Sequence, residues 1–168
     1  AVRERQSFGK DEDSAVIFND MAEGWEVTFR GARPIPADRM ARYQDSTIRN
    51  IFYILRHRLN EPGLIFEARG SEVLVNVPVE KVDITDSENR VLTVYIHYST
   101  KLPVKTVFYR RDAEKVRHEE VTWFDKYRDA GGGVKWPLVQ RRERDGEKIY
   151  ELFAESVQVN QGLKDDLF

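Results

Sequence analysis

The stretch Val91–Tyr109, VLTVYIHYSTKLPVKTVFY, decides the fold. Leu92, Val94, Ile96 and Tyr98 alternate with Thr93, Tyr95 and His97, the period of a strand with one buried face. Pro103 has no N–H to give to a ladder, so it belongs at a strand start. Val104 to Tyr109 then runs back antiparallel across the connection Ser99–Thr100–Lys101–Leu102–Pro103. The β-branched and aromatic residues of both arms suit a pleated, half-buried surface.

Downstream of this hairpin, turn and strand signals alternate. Arg111–Lys115 is a charged loop and Val116–Tyr127 a long strand. Gly131–Gly132–Gly133 is a flexible hairpin, and Val134–Arg144 a strand bent at Trp136–Pro137. Asp145–Gly146 is a two-residue hairpin dipeptide between two alternating runs, with Lys148–Val159 as the last strand. The tail Asn160–Phe168 carries Leu163, Leu167 and Phe168 for docking.

Upstream, Asp86–Arg90 is a polar loop, and Val73–Val77 and Val79–Thr85 are strand segments around Pro78. Gly70–Ser71 reads as a turn after the short extended Leu64–Ala68. Nearer the N-terminus, Val2–Phe8, Ser14–Asn19 and Trp25–Phe29 form a meander. Gly31–Pro36 breaks it, because Pro34 and Pro36 forbid a central strand and can open a helix. Ile48, Ile51, Phe52, Leu55 and Leu59 follow at steps of three and four, the stripe of a helix that Asn60–Glu61–Pro62–Gly63 stops. The pattern predicts an α+β, mainly β protein: one strongly curved antiparallel sheet, an incomplete barrel, with a helix packed on its concave face.

With 168 residues the chain is read as a single domain with a sizeable core. A net charge of −2 gives no pull toward nucleic acid. The absence of Cys excludes disulfides, zinc thiolates and a cysteine nucleophile. No apolar run has the length of a membrane-spanning helix. The chain begins Ala1–Val2–Arg3 inside a strand, which reads as a mature or truncated product.

Catalytic and metal chemistry find little purchase. His57, His97 and His118 lie far apart, with no metal-like spacing. Ser99 beside His97 invites a hydrolase reading, but the strand–turn–helix elbow is missing. The three glycines precede a strand rather than the helix that a phosphate cradle needs. Arg110–Arg111 and Arg141–Arg142–Arg144 have Asp112, Glu114, Glu143 and Asp145 as neighbours, which cancel the local field. No cofactor, metal or catalytic residue is expected. What remains is an apolar sheet face under a helix. It is either a packed core or a groove for an apolar ligand, with Ile51, Leu55, Val94, Ile96, Val107, Tyr109, Val121, Trp123 and Phe153 as lining candidates.

Several marks share an order with one known group. They are Ser99–Thr100–Lys101–Leu102–Pro103–Val104 between strands, and Trp123–Phe124–Asp125–Lys126–Tyr127 ahead of the glycines. Trp136–Pro137, Asp145–Gly146, Asn160, Leu163 and Asp166–Leu167–Phe168 follow. From Val94 to Phe168 the chain resembles the outer-membrane lipoprotein-sorting proteins, the LolA/LolB-like superfamily. The resemblance implies helices lying as a lid over an apolar cavity that holds lipoprotein acyl chains in the periplasm. It implies no enzyme activity, and it fixes no ligand-contact residue by motif. The family's N-terminal helix and first strands have no counterpart before Val2. The implied function is an envelope binding protein for a lipid or acylated lipoprotein, with peripheral membrane contact possible. The alternative is a non-transporting sensor or scaffold with a filled core. A strand near Val2 without its neighbour would also offer an open sheet edge for self-association.

Overall fold

The computed structural model describes residues 2–168, the side chain of Asp166 excepted; Ala1, where the N-terminal reading began, lies outside the described residues. The chain is mainly sheet, and its backbone contacts fall into two compact units. One comprises Ala1–Asn50 with Gln161–Phe168, the other Ile51–Asn160.

The first unit holds strands β1 (Arg3–Phe8), β2 (Ser14–Asn19), β3 (Glu23–Thr28) and β4 (Gly31–Pro34), paired in chain order, and helix α1 (Ala37–Ile48). These strands pair among themselves and do not extend the longer sheet. Gly31–Pro34, read as a break, is a fourth strand, and its place at the sheet edge is where Pro34 does no harm. Val16, Phe18, Ile35 and Met40 form the core, with Tyr43 stacked on Phe18 at 3.6 Å between ring centroids. Gly24 belongs to β3 rather than to a turn. A Cβ there would sit 2.8 Å from Ile35 Cδ1 and 3.0 Å from Phe18 Cδ1, so only glycine lets these side chains cross the strand. The tail is pinned to β1. Arg3 pairs with Asp165 at 2.8 Å, and Arg5 Nη1 donates to the Leu167 carbonyl at 3.0 Å. Leu163 and Leu167 themselves stay exposed.

The second unit starts with a short helix α2 (Ile51–Tyr53) that continues as a π-helical turn (Ile54–Arg58). Seven strands follow: β5 (Ile65–Leu74), β6 (Val77–Thr85), β7 (Val91–His97), β8 (Pro103–Arg111), β9 (Arg117–Asp129), β10 (Lys135–Arg144) and β11 (Glu147–Phe153). They lie in strict chain order, every neighbouring pair antiparallel, in a sheet that is not closed into a barrel. Turn chemistry explains the hairpins. Asp145 (φ 51°) and Gly146 (φ 83°) occupy the left-handed region that a two-residue turn requires. The β5–β6 turn lies at Val75–Asn76 (φ 48° and 64°), not at Gly70–Ser71. Gly70 (φ 86°) instead takes up a bulge, where the register shifts between Ala68 and Ser71.

The helical turn packs on one face of this sheet. Ile51 and Ile54 meet Ile84, Leu92, Val94 and Phe124 in a buried cluster, with Phe52, Val82, Ile96 and Phe108 around it. The expected stripe is therefore corrected. Chain α1 ends at Ile48, so that residue belongs to the other unit, and Leu55 and Leu59 are about half exposed. The buried positions are Ile51, Ile54 and Arg58. Helical spacing fits both stripes. The choice between them is made by Arg58, whose guanidinium docks on the buried Asp86.

Ile54→Ala is expected to cost about 2–5 kcal/mol, the range for a large apolar side chain cut back in a packed core. Leu55→Ala should stay within about 0.5 kcal/mol, as exposed substitutions do. Urea unfolding of the two variants checks this, and equal losses would contradict the orientation.

Candidate functional site

Strand register divides the sequence candidates between two faces. Val94 pairs with Val82 and Thr106, Thr106 with Thr122, Thr122 with Arg142, and Arg142 with Tyr150. Residues directly opposite share a face, so this row shares the face on which the helical turn packs, in phase with Ile96, Phe108, Phe124 and Leu152. The adjacent positions point the other way. Thr93 pairs with Val107, and Val107 with Val121; Tyr95 pairs with Lys105, and Lys105 with Trp123. Tyr109 and Phe153 share that open face, opposite Glu119 and Val139.

The nine candidates thus do not line one groove. Ile51, Val94 and Ile96 lie together at the helix-covered face. Val107, Tyr109, Val121, Trp123 and Phe153 lie on the other side of the sheet, Val107 and Val121 buried there and Tyr109 and Phe153 exposed, and Leu55 turns outward from the helical turn. Both hairpin arms alternate, and their patterns do not say which phase faces the helix; the bulge between Tyr95 and Ile96 sets the phase of β8. Ile54, Leu92 and Phe124, which the candidate set omitted, form the centre of the covered face. Their signal was present in the sequence as large apolar residues in phase with Val94.

At the centre of the covered face the packing is tight: Val94 is 1% exposed, Ile54 2% and Leu92 2%. Toward the sheet edges it opens. Phe66 on β5 and Tyr150 and Leu152 on β11 remain 46%, 50% and 40% exposed. The edge strands carry apolar side chains in the phase of the core with nothing in this unit covering them.

The open face is a ladder of cations and rings. Lys105 lies 5.1 Å from the Tyr95 ring centre and 4.8 Å from that of Trp123; Lys81 also approaches Tyr95, and Arg141 approaches Trp123. Trp123 Nε1 donates to Glu143 at 3.0 Å and Thr93 Oγ1 to Asp83 at 2.6 Å. A hollow of about 490 Å³ on this face is lined by Ala68, Arg69, Lys81, Asp83, Thr93 and Tyr95.

Two ionic clusters brace the unit. Arg58 donates to both carboxylate oxygens of Glu61 (2.6 and 2.8 Å) and to Asp86 Oδ2 (3.1 Å). Asp86 also accepts from Arg90 Nε at 2.7 Å and from the backbone N–H groups of Glu88 and Arg90. Burial pushes the Asp86 carboxyl up, but the Arg90 and Arg58 hydrogen bonds outweigh it and hold the pKa at about 2. The second cluster is a clamp on His118, whose Nδ1 lies 2.6 Å from Asp145 and whose Nε2 lies 2.9 Å from Asp112. The Asp145 bond, then the Asp112 bond, raise the His118 imidazole above its usual value, and both carboxyls are lowered in return.

The hydrolase candidates are arranged as turn structure. His97 Nδ1 accepts the backbone N–H groups of Ser99 and Thr100, which caps the β7–β8 hairpin. No group of three or more potential metal ligands gathers among the described residues.

No protein-family model matches the sequence, and comparison with curated proteins finds no match. Solved structures do match. A domain from Vibrio parahaemolyticus, provisionally described as an outer membrane lipoprotein-sorting protein, superposes with a TM-score of 0.60 at 12% identity, over 95% of this chain and 71% of that one. A DUF1329 family protein from Desulfovibrio piger gives 0.58 at 12% identity, over 99% and 80%. A LolA superfamily protein from Nitrosomonas europaea gives 0.49 at 12% identity, over 96% and 72%. The chain shares its fold with the Vibrio parahaemolyticus and Desulfovibrio piger proteins, the first of the kind the motif resemblance implied.

Arg58→Met should cost about 3–5 kcal/mol, because it removes a partner of a buried carboxylate. The Asp86 contribution is fully present above its unfolded pKa of about 3.9 and is lost as pH falls toward 2. Asp86→Asn should therefore flatten the acid limb of a stability–pH profile. For the clamp the signs differ. The raised His118 pKa stabilises fully below about 6.5 and is lost as pH rises through the folded value. Thermal unfolding of His118→Gln should show a smaller fall in stability above pH ~6.5 than the parent; an unchanged slope would dissociate the clamp from stability.

Proposed function

We propose that this chain is a non-enzymatic binding protein of the bacterial envelope, in the periplasm of a Gram-negative-type cell. It holds a lipid or the acyl chain of a lipoprotein against the helix-covered face of the seven-stranded sheet. The observation that carries this reading is the fold, shared across nearly the whole chain with a domain described as a lipoprotein-sorting protein. The uncovered apolar side chains Phe66, Tyr150 and Leu152 support it, since they extend the face of the packed cluster to both sheet edges. An acyl chain laid along such a strip removes apolar area from water, at roughly 0.8 kcal/mol per buried methylene.

A second reading has its own support. The contact between Ile51, Ile54, Leu92 and Val94 is already filled, which suits a sensor or scaffold domain that carries no cargo. Ligand capture separates the two. Native mass spectrometry of protein purified from its own envelope is expected to show a retained lipid, and titration with a dansylated fatty acid should saturate. Leu152→Glu, an exposed site on the edge strand, should weaken that binding and leave stability nearly unchanged. Absence of both retained lipid and probe binding would decide for the filled-core reading.

A further inference from the structure

One end of the helix-covered face changes chemistry from apolar to charged, with three arginines. Arg110 Nε and Arg144 Nε both donate to the same oxygen, Glu120 Oε1, at 2.7 and 2.8 Å. Glu120 is opposite Phe108 on one side and Arg144 on the other, so the group lies in the row that leads to the apolar cluster. Arg142 joins the same face one pair further on, opposite Tyr150, with its guanidinium 6.0 Å from the Tyr150 ring centre.

Three of the four acidic sequence neighbours have partners of their own. Asp112 and Asp145 are held by His118, and Glu143 faces the other side of the sheet, where it accepts from Trp123 and forms an ion pair with Arg141. Glu147 lies opposite Arg144 on the edge strand. Each guanidinium has five N–H donors. Glu120 takes the Nε–H of Arg110 and of Arg144. Such forks match phosphate oxygens, with charge-assisted bonds.

We propose that Arg110, Arg142 and Arg144 bind the phosphate of an anionic phospholipid whose chains lie on the adjoining Tyr150–Leu152 strip. This rests on the lipid-binding reading above and adds to it a direction: headgroup at the Arg cluster, chains toward the core. Glu120 acts as a positioning residue that keeps two of the three guanidiniums on one face.

Isothermal titration with two soluble lipids of equal chains tests it: dihexanoyl phosphatidylglycerol, and dihexanoylglycerol, which lacks the phosphate. The parent chain should bind the phospholipid about tenfold more tightly, the scale of one charge-assisted contact. Arg142→Gln, at an exposed site, should remove most of that preference and leave dihexanoylglycerol binding unchanged, and Arg142→Lys should keep part of it. Raising salt should weaken only the phospholipid. Equal affinity for both lipids in the parent would overturn the headgroup site and leave the acyl-chain reading standing. Binding of neither lipid would overturn both. Complete displacement of the phospholipid by inorganic phosphate at similar concentration would show a phosphate site without chain contacts, which also overturns the proposal.

Discussion

The buried ion pair between Arg58 and Asp86 is the constraint on which the seven-stranded unit depends. A guanidinium and a carboxylate taken out of water are costly unless every remaining donor and acceptor is used. Here Glu61 takes the rest of the Arg58 fork, and Arg90 with two backbone N–H groups saturates Asp86. The bond joins the π-helical turn to the loop between β6 and β7, and so fixes which side of the turn meets the sheet. Ile51 and Ile54 then enter the core, and two leucines of comparable hydrophobicity are left in water. Hydrophobic burial supplies most of the driving force, but it is non-directional, and the polar contact selects among arrangements of similar apolar area.

Once the turn is placed, the sheet's two faces take different roles. The covered face is apolar at its centre and charged at one end; the other face is a lattice of rings, cations and carboxylates linked across strands. A sheet whose faces differ this strongly tolerates no slip in register, since one residue of shift exchanges them. Bulges at Gly70, at Tyr95–Ile96 and at Arg142–Glu143 take up the twist without losing the phase of the central strands. Two of them, at Gly70 and at Arg142–Glu143, interrupt the pairing of the edge strands β5 and β11, which lowers the hazard of pairing with another chain.

The sequence by itself determined the mainly β class and the antiparallel hairpin order from Val77 onward, but not the division into two sheets or the strand at Gly31–Pro34. Period-two alternation, Pro103, Asp145–Gly146 and the three glycines are local signals, and local backbone preference is enough to place such turns. It also determined that a helical piece ends near Asn60. Tertiary structure alone decided which stripe of that piece is buried, because Ile51–Leu55–Leu59 and Ile51–Ile54–Arg58 have the same period and differ only in a partner 28 residues away. It decided the face of Val107, Val121 and Trp123, because alternation is symmetric until a bulge fixes its phase against the neighbouring strand. It decided, finally, which charges cancel. Arg110 and Asp112 are close in sequence, yet Arg110 pairs across the ladder with Glu120 and Asp112 with His118. Ion pairing follows distance in space, and in a meander the nearest carboxylate is set by the strand opposite rather than by the next residue in the chain.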